Sequence, residues 1–280
     1  MPPPHRVPAD ELISTGYSGW WSRGWGLMKA AWRPLAALQL MLAGVSLVLV
    51  APLSAWGIYL DVRGTVVTEA NVGAEFGVLG QRTAENLLGL LVGMTVLLAV
   101  VHVVVGSAHG RTPTALAAIR AAVPRLPAVL GWGLIAVMIA LAGACACVLP
   151  GVYFLAVFTI LPVVIAVERI SPIGRCFQLF HANLGVAVGR VATIVALSLA
   201  VIPAAALGPA TVAVMGAFGA GIDGHATLIV GGVVGAVASL LASAAIGMLT
   251  GPLTVAAYAD MRARCEPVSA AQIRYELTRR

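Results

Sequence analysis

Charge is what this chain has least of. Only 10% of its 280 residues are Asp, Glu, Lys or Arg, while 60% are hydrophobic; ordinary soluble domains carry about 25% and about 45–50%. So little polar surface cannot coat a globule of this size, which excludes a soluble fold. Alternation is missing too. The apolar residues come in long unbroken runs, which disfavours an outer-membrane-type barrel, whose strands alternate inward and outward residues. Cysteine is sparse, at four residues. Cys145 and Cys147 stand two apart on one helix, about 200° apart around its axis, and Cys176 and Cys265 fall in polar segments, so no disulfide scaffold is expected. No Cys/His spacing suits a metal. Phosphate-cradling glycine loops, nucleophile elbows and HExxH are also absent. Gly216, Gly219 and Gly221 look like pieces of a glycine loop but have no strand before them and no Lys after. The sequence therefore calls for no cofactor and for no enzyme.

What is present is a six-span pattern. Charge-free stretches of about 20 apolar residues, the length a bilayer requires, fall near 35–59, 86–107, 127–148, 150–167, 190–208 and 226–257. The first run is longer than a signal-peptide core and reads as an uncleaved helix. Leu149-Pro150-Gly151 separates the third span from the fourth and predicts a tight hairpin turn. Fifteen of the seventeen basic residues, including all from Arg6 to Arg33 and from Arg262 to Arg280, fall on one side of this layout. The other side keeps only Arg63 and Arg82, beside Asp61, Glu69, Glu75 and Glu85, while Asp223 is the sole formal charge between the last two spans. Basic residues are retained on the cytoplasmic side, so both termini are placed there. The expected organisation is a cytoplasmic segment at 1–33, a membrane domain at 34–259 and a basic cytoplasmic tail at 260–280. The net charge of +6 is scattered beside apolar runs and forms no single solvated patch, which argues for membrane orientation and against nucleic-acid binding. A single lysine, Lys29, in a chain rich in Ala, Gly, Val and Arg suits a GC-rich bacterial genome and its inner membrane.

A basic, partly amphipathic stretch precedes each odd-numbered span, so the fold class expected is an all-α, six-span bundle with interfacial helices before the first, third and fifth spans. In the first stretch Trp21, Trp25, Met28 and Trp32 share one face at about 100° per residue, with Arg33 and Lys29 beside it. Trp21, Trp25, Trp32 and Arg33 are the expected interfacial anchors, although Gly24 and Gly26 weaken the helix. The second stretch runs over 112–127. The third runs over 171–190 and opens on Ser171-Pro172, an N-cap followed by proline.

Small residues supply the expected packing. Gly231, Gly235, Ser239, Ser243, Gly247 and Gly251 recur every fourth residue in the last span, and Gly89 with Gly93 repeats the pattern in the second. Such stripes let helix backbones approach closely, within one chain or between two. Pro52, Pro162, Pro203 and Pro252 lie inside spans and are expected to kink them. His102 is the one ionisable side chain inside a span, and it reads as a neutral histidine bonded to a neighbouring helix. Glu168 and Arg175 stand seven residues apart across Pro172, close enough to meet if the chain folds back. Asp260 and Arg264 have the spacing of a helical ion pair.

The run Leu149-Pro150-Gly151-Val152-Tyr153, then Leu161-Pro162, Glu168, Ser171-Pro172, Arg175 and Leu179, resembles the central signature of a bacterial family. That family is the membrane domain attached to some glycerophosphoryl diester phosphodiesterases, with its stand-alone actinobacterial relatives. Tyr258-Ala259-Asp260-Met261-Arg262, with Arg264 and Glu266, is similar to the family's ending. The resemblance implies a six-helix bundle with cytoplasmic amphipathic helices. It implies no phosphodiesterase activity, because the catalytic unit of fused members is a separate soluble barrel. The segment 180–185 departs from the arginine- and tryptophan-containing form of that family.

The leading expectation is a scaffold or accessory subunit of a membrane complex, with anionic lipids and a membrane-protein partner or second copy as its contacts. The alternatives are a transporter or flippase-like protein for a lipid or small uncharged solute, and an interfacial enzyme built from Glu168, His181 and Asp260. The charge segregation makes a direct prediction. Reporters fused after Glu75 or Asp223 should read external and those after Pro113 or Leu179 internal; an internal reading at Asp223 would overturn the topology.

Overall fold

The computed structural model describes residues 12–14, 16–50, 52, 72–218 and 224–279. The acidic stretch around Asp61, Arg63 and Glu69, together with Gly219, Gly221 and Asp223, lies outside the described residues. The described chain is helical with no strand among its described residues. In order it forms α1 (Tyr17–Ala30), α2 (Trp32–Val45, continued by a π-helical turn over Ser46–Val50), α3 (Val72–Ser107), α4 (Ala115–Ala122), α5 (Leu126–Ala146) and α6 (Val148–Phe158). There follow α7 (Leu161–Val167), α8 (Pro172–Ala182), α9 (Leu184–Leu199), α10 (Val201–Ala205), α11 (Leu207–Phe218), α12 (Gly224–Cys265) and α13 (Ala270–Thr278). Six stretches are long and apolar enough to cross a membrane: Trp32–Leu49, Leu79–Ser107, Ala115–Ala146, Val148–Val167, Leu184–Ala204 and Val230–Cys265. The protein is an all-α, six-span bundle; short helices α1 and α8 stand before the first and fifth spans, and α4 opens the third stretch.

Local chemistry explains the breaks. Gly110 has φ +68°, a left-handed conformation open to glycine at little cost, and it turns the chain from α3 into α4. Gly106 lies so close to Pro113 and the Arg111 carbonyl that a Cβ there would collide with both. Thr114 caps α4 by accepting from the Ala117 N–H at 3.3 Å. The hairpin between the third and fourth spans turns one step earlier than the sequence predicts. Cys147 takes the extended conformation (φ −169°, ψ 149°), and Pro150 and Gly151 fall in the first turn of α6. A proline near a helix start lacks only an N–H that has no intrahelical partner. Gly151 lets that turn lie on Ala144, and Gly143 accommodates Phe154.

The prolines divide. Pro162 opens α7 after the chain leaves α6 at Thr159–Ile160, and Pro203 sits in the single turn α10, bounded by Ala200 and Ala206. Pro252 leaves α12 continuous. At 42 residues, α12 would be about 63 Å long if straight, twice the hydrocarbon thickness, so it projects beyond the bilayer. The fifth span starts earlier than expected, because the stretch expected over 171–190 breaks at Asn183. That break moves Arg190 from a polar loop into α9. Gly216 belongs to α11, an additional helix that lies along α12.

The core gathers at the arginine-rich end. Buried runs Val96–Val105 of α3, Leu161–Val167 of α7 and Gly251–Arg262 of α12 converge there. α12 is the hub, touching α1, α2, α3, α7, α8, α9, α10 and α11. Outside this end the large apolar side chains, such as Leu134, Met138, Leu141 and Val233, are exposed, as lipid-facing surfaces require. The expected tail boundary at residue 260 falls inside α12, and α13 folds back with Ala270, Ile273 and Leu277 buried against α3 and α7.

The small-residue stripe works along part of its length. Gly231 and Gly235 meet Gly208 of α11, Gly247 receives the buried Gln39 side chain from α2, and Gly251 receives Val100 from α3. Ser239 donates to its own helix at the Gly235 carbonyl and Ser243 is exposed. Gly89 and Gly93 meet no neighbour among the described residues. Gly24, a weak helix residue, earns its place by close approach: a Cβ there would collide with the buried Leu253 side chain of α12. Gly26, two residues on and about 200° round the helix, has open space. Gly24→Leu should therefore destabilise the detergent-solubilised protein by about 1–3 kcal/mol through overpacking, whereas Gly26→Ala should be neutral or stabilising by up to about 1 kcal/mol. Thermal unfolding of both variants checks this, and equal effects would refute the packing role of Gly24.

Candidate functional site

Two polar clusters stand on opposite faces of the last turns of α12. Tyr258, Arg262 and Glu266 recur every fourth residue on one face, and Asp260 lies about 200° round from Tyr258. On the first face the Glu168 carboxylate, at the end of α7, accepts from the Tyr258 hydroxyl on Oε1 at 2.6 Å and from Arg175 Nε on Oε2 at 2.8 Å. Arg175, on α8, also donates through Nη1 to Gln178 Oε1 at 3.0 Å and through Nη2 to Glu266 Oε1 at 2.6 Å. Arg262 donates from Nε to Glu266 at 2.5 Å, from Nη1 to the Tyr258 oxygen at 3.0 Å, and from both Nη atoms to Glu276 of α13 at 2.5 and 3.0 Å. The sequence expectation that Glu168 and Arg175 meet across Pro172 is thus met. It missed that Arg262 and Glu276 complete the set, because no local spacing links residue 168 to residue 276.

Glu168, Arg175 and Arg262 are nearly inaccessible, at 6%, 7% and 6% side-chain exposure. Leaving one such charge unpaired costs about 3–5 kcal/mol, so the network is strongly coupled. Burial works against the charged forms of Glu266 and Glu276, but the hydrogen bonds from Arg262 outweigh it, with help from Arg175 at Glu266 and Gln272 at Glu276. Both carboxyls are held below their ordinary range. Cys176, on the neighbouring turn of α8, has its thiol pushed up to about 12 by burial, with the Glu168 charge adding to it. It is a packing thiol, not a nucleophile.

On the second face Asp260 is buried against the segment before α1. The Ser14 N–H donates to its Oδ1 at 2.5 Å, the Ser14 hydroxyl to Oδ2 at 2.7 Å, and Arg190 Nη2 pairs with Oδ2 at 2.7 Å. The Arg190 guanidinium lies over the Trp20 ring at 5.8 Å, a cation–π contact, and Trp20 donates its indole N–H to the Leu253 carbonyl at 3.0 Å. Arg190 Nε and Nη1 have no hydrogen-bond partner among the described residues.

The tryptophan face is partly corrected by the structure. Trp20, which the face counting passed over, is fully buried and is the ring that locks α1 to α12. Trp21 is half-buried. Trp25 and Trp32 are exposed, each beneath a cation at 5.5 Å, Lys29 and Arg33 respectively. The helix breaks at Ala31 (φ −110°, ψ 17°), so Trp32 and Arg33 belong to α2 and not to the interfacial helix.

The histidines bond locally. His102 Nδ1 lies 2.9 Å from the Leu98 carbonyl one turn back, so its partner is its own helix and not a neighbouring one. His181 Nδ1 lies 2.8 Å from the Phe177 carbonyl, which as an acceptor places the proton on Nδ1, and Nε2 then accepts from the Tyr153 hydroxyl at 3.0 Å. Of the expected polar residues Glu168 and Arg175 pair directly, while His102 bonds to its own helix; Glu168, His181 and Asp260 do not form one site, because Glu168 and Asp260 bond on opposite faces of α12 and His181 sits in an aromatic cluster with Tyr153, Phe177 and Phe180. Among the described residues no group of three or more His, Cys, Asp or Glu could hold a metal.

Two clefts open beside the first cluster. One, of about 240 Å³, is lined by Glu168, Arg169, Arg262, Glu276 and Arg279. The other, of about 470 Å³, runs from Arg125 and Trp132 to Arg169, Ser171 and Pro172. Comparison with models of protein families, with curated proteins and with solved structures finds no match to this chain.

Glu266 and Glu276 contribute stability that is fully present above their unfolded-state values, about 4.3, and is lost as pH falls through the lower folded values. Acidification below about pH 4.5 should therefore lower the melting temperature, and Glu276→Gln should flatten that slope while lowering stability at pH 7. An unchanged acid slope in the variant would remove Glu276 from the network.

Proposed function

We propose that this protein is a scaffold or accessory subunit of a bacterial inner-membrane complex, with its arginine-rich end and both termini on the cytoplasmic side. The observation that carries this reading is how the buried charges are used. Glu168, Arg175, Arg262 and Asp260 each bond across elements far apart in sequence, so their chemistry goes into joining α1, α7, α8, α9, α12 and α13. Six of the residues that carry the resemblance to the phosphodiesterase-associated membrane domains, Glu168, Arg175, Tyr258, Asp260, Arg262 and Glu266, lie in these two clusters. That coincidence supports membership of the stand-alone branch of that family. The basic faces of α1 and α4 would lie against anionic headgroups, with Trp25 and Trp32 at the interfacial depth aromatic rings prefer.

A second reading, transport of a lipid or small uncharged solute, draws on the π-helical turn at Ser46–Val50 and the breaks around α10, which are places where membrane helices flex. Mass spectrometry of the tagged protein, extracted from its native membrane in polymer-bounded lipid particles, separates the two. A stoichiometric protein partner is the expected result. Its absence, with one lipid class enriched and solute flux in reconstituted vesicles, would overturn the scaffold reading in favour of transport.

A further inference from the structure

The larger cleft has the composition of a phosphate site at a membrane surface. Arg125 ends a 3-10 turn over Val123–Arg125 between α4 and α5 and donates to the Ile165 carbonyl at 3.4 Å. Arg169 follows α7 and donates to the Arg279 carbonyl. Both therefore hold backbone oxygens, which carry no formal charge, and neither is ion-paired with a carboxylate among the described residues. The two lie close enough for their charges to oppose one another, an arrangement that an anion between them would relieve. The one acid in the lining, Glu168, is ion-paired with Arg175 at 2.8 Å, so its charge is already offset by a cation outside the pair.

Two further features favour an anion. Ser171 stands at the N-cap of α8 without capping it through its side chain, and it lines the cleft together with Pro172, so the positive end of that helix lies at the cleft. Deeper in, the lining turns apolar. Ala128, Trp132 and Ile165 continue the cleft along α5 and α7, with Trp132 seven residues, or about 10 Å, beyond Arg125 along the span. At about 470 Å³ the space has the size of a small-ligand site. A purely soluble anion would have no use for the apolar half.

We propose that this cleft binds the phosphate of one anionic phospholipid between Arg125 and Arg169, with an acyl chain leaving along Trp132. The site rests on the scaffold reading only in sharing its membrane setting; it adds a saturable, one-to-one lipid to what is otherwise diffuse attraction. Native mass spectrometry of the full chain, delipidated in detergent and titrated with phosphatidylglycerol, phosphatidylcholine or inorganic phosphate, tests it. The expected result is one saturably bound phosphatidylglycerol that phosphatidylcholine does not replace and millimolar phosphate does not displace. Arg169→Gln, at an exposed position that leaves the core intact, and Arg125→Gln/Arg169→Gln should each weaken it about tenfold or more, the range of a lost charge-assisted contact. Arg120→Gln, on the exposed face of α4, should leave it unchanged. Equal weakening by Arg120→Gln would overturn the cleft while preserving general attraction to anionic lipid. Displacement by phosphate would overturn the lipid in favour of a soluble anion, and equal binding of the two lipids by the unaltered protein would overturn both the cleft and the lipid-facing role of the basic helices.

Discussion

The hydrogen-bonded carboxylate of Glu168 is the contact on which the arginine-rich end depends. It joins the end of α7 to α8 through Arg175 and to α12 through Tyr258, and Arg262 carries the linkage on to α13. A carboxylate at this depth is tolerated only with its lone pairs occupied, so its partners fix the relative positions of four helices. On the other face of α12 Asp260 does the same for α9 and for the chain before α1. Between them the two acids surround the final span with elements drawn from the whole length of the sequence.

Hydropathy and charge bias made the six spans and the short helices before alternate spans legible, because bilayer thickness and backbone hydrogen bonding leave a chain of this composition few other solutions. Boundaries were less legible. The hairpin turn was placed on Pro150-Gly151, the strongest local breaker, yet the chain turns at Cys147 because a proline is comfortable in the first turn of a helix. The apolar pattern starts the fifth span only at residue 190, whereas the helix begins at Leu184 and carries Arg190 inside it; the acid partner of Arg190 lies 70 positions away and gives no local signal. Trp20 was passed over for a similar reason. Counting faces on an isolated helix identifies the exposed aromatic stripe but not which ring a distant helix will cover.

The glycine pattern shows the same limit from another side. Spacing every fourth residue identified the stripe on α12, and Gly231, Gly247 and Gly251 do admit close neighbours. The shorter copy at Gly89 and Gly93 has the same spacing and open surroundings. A small residue permits close approach and cannot by itself recruit a partner.

The central position of α12 has a consequence for how the molecule is made. Trp20 reaches its hydrogen-bond partner across 233 residues of sequence, and α1, α2, α3, α7, α8 and α9 all pack on a helix that is synthesised after every one of them. At the usual rates of synthesis the early helices wait on the order of tens of seconds for it. During that interval five spans reside in the bilayer without their common neighbour, and Arg190 is without Asp260. Assembly of this bundle is accordingly late relative to the synthesis of its first five spans, and the vulnerable species in its biogenesis is the chain that has those spans but not yet α12.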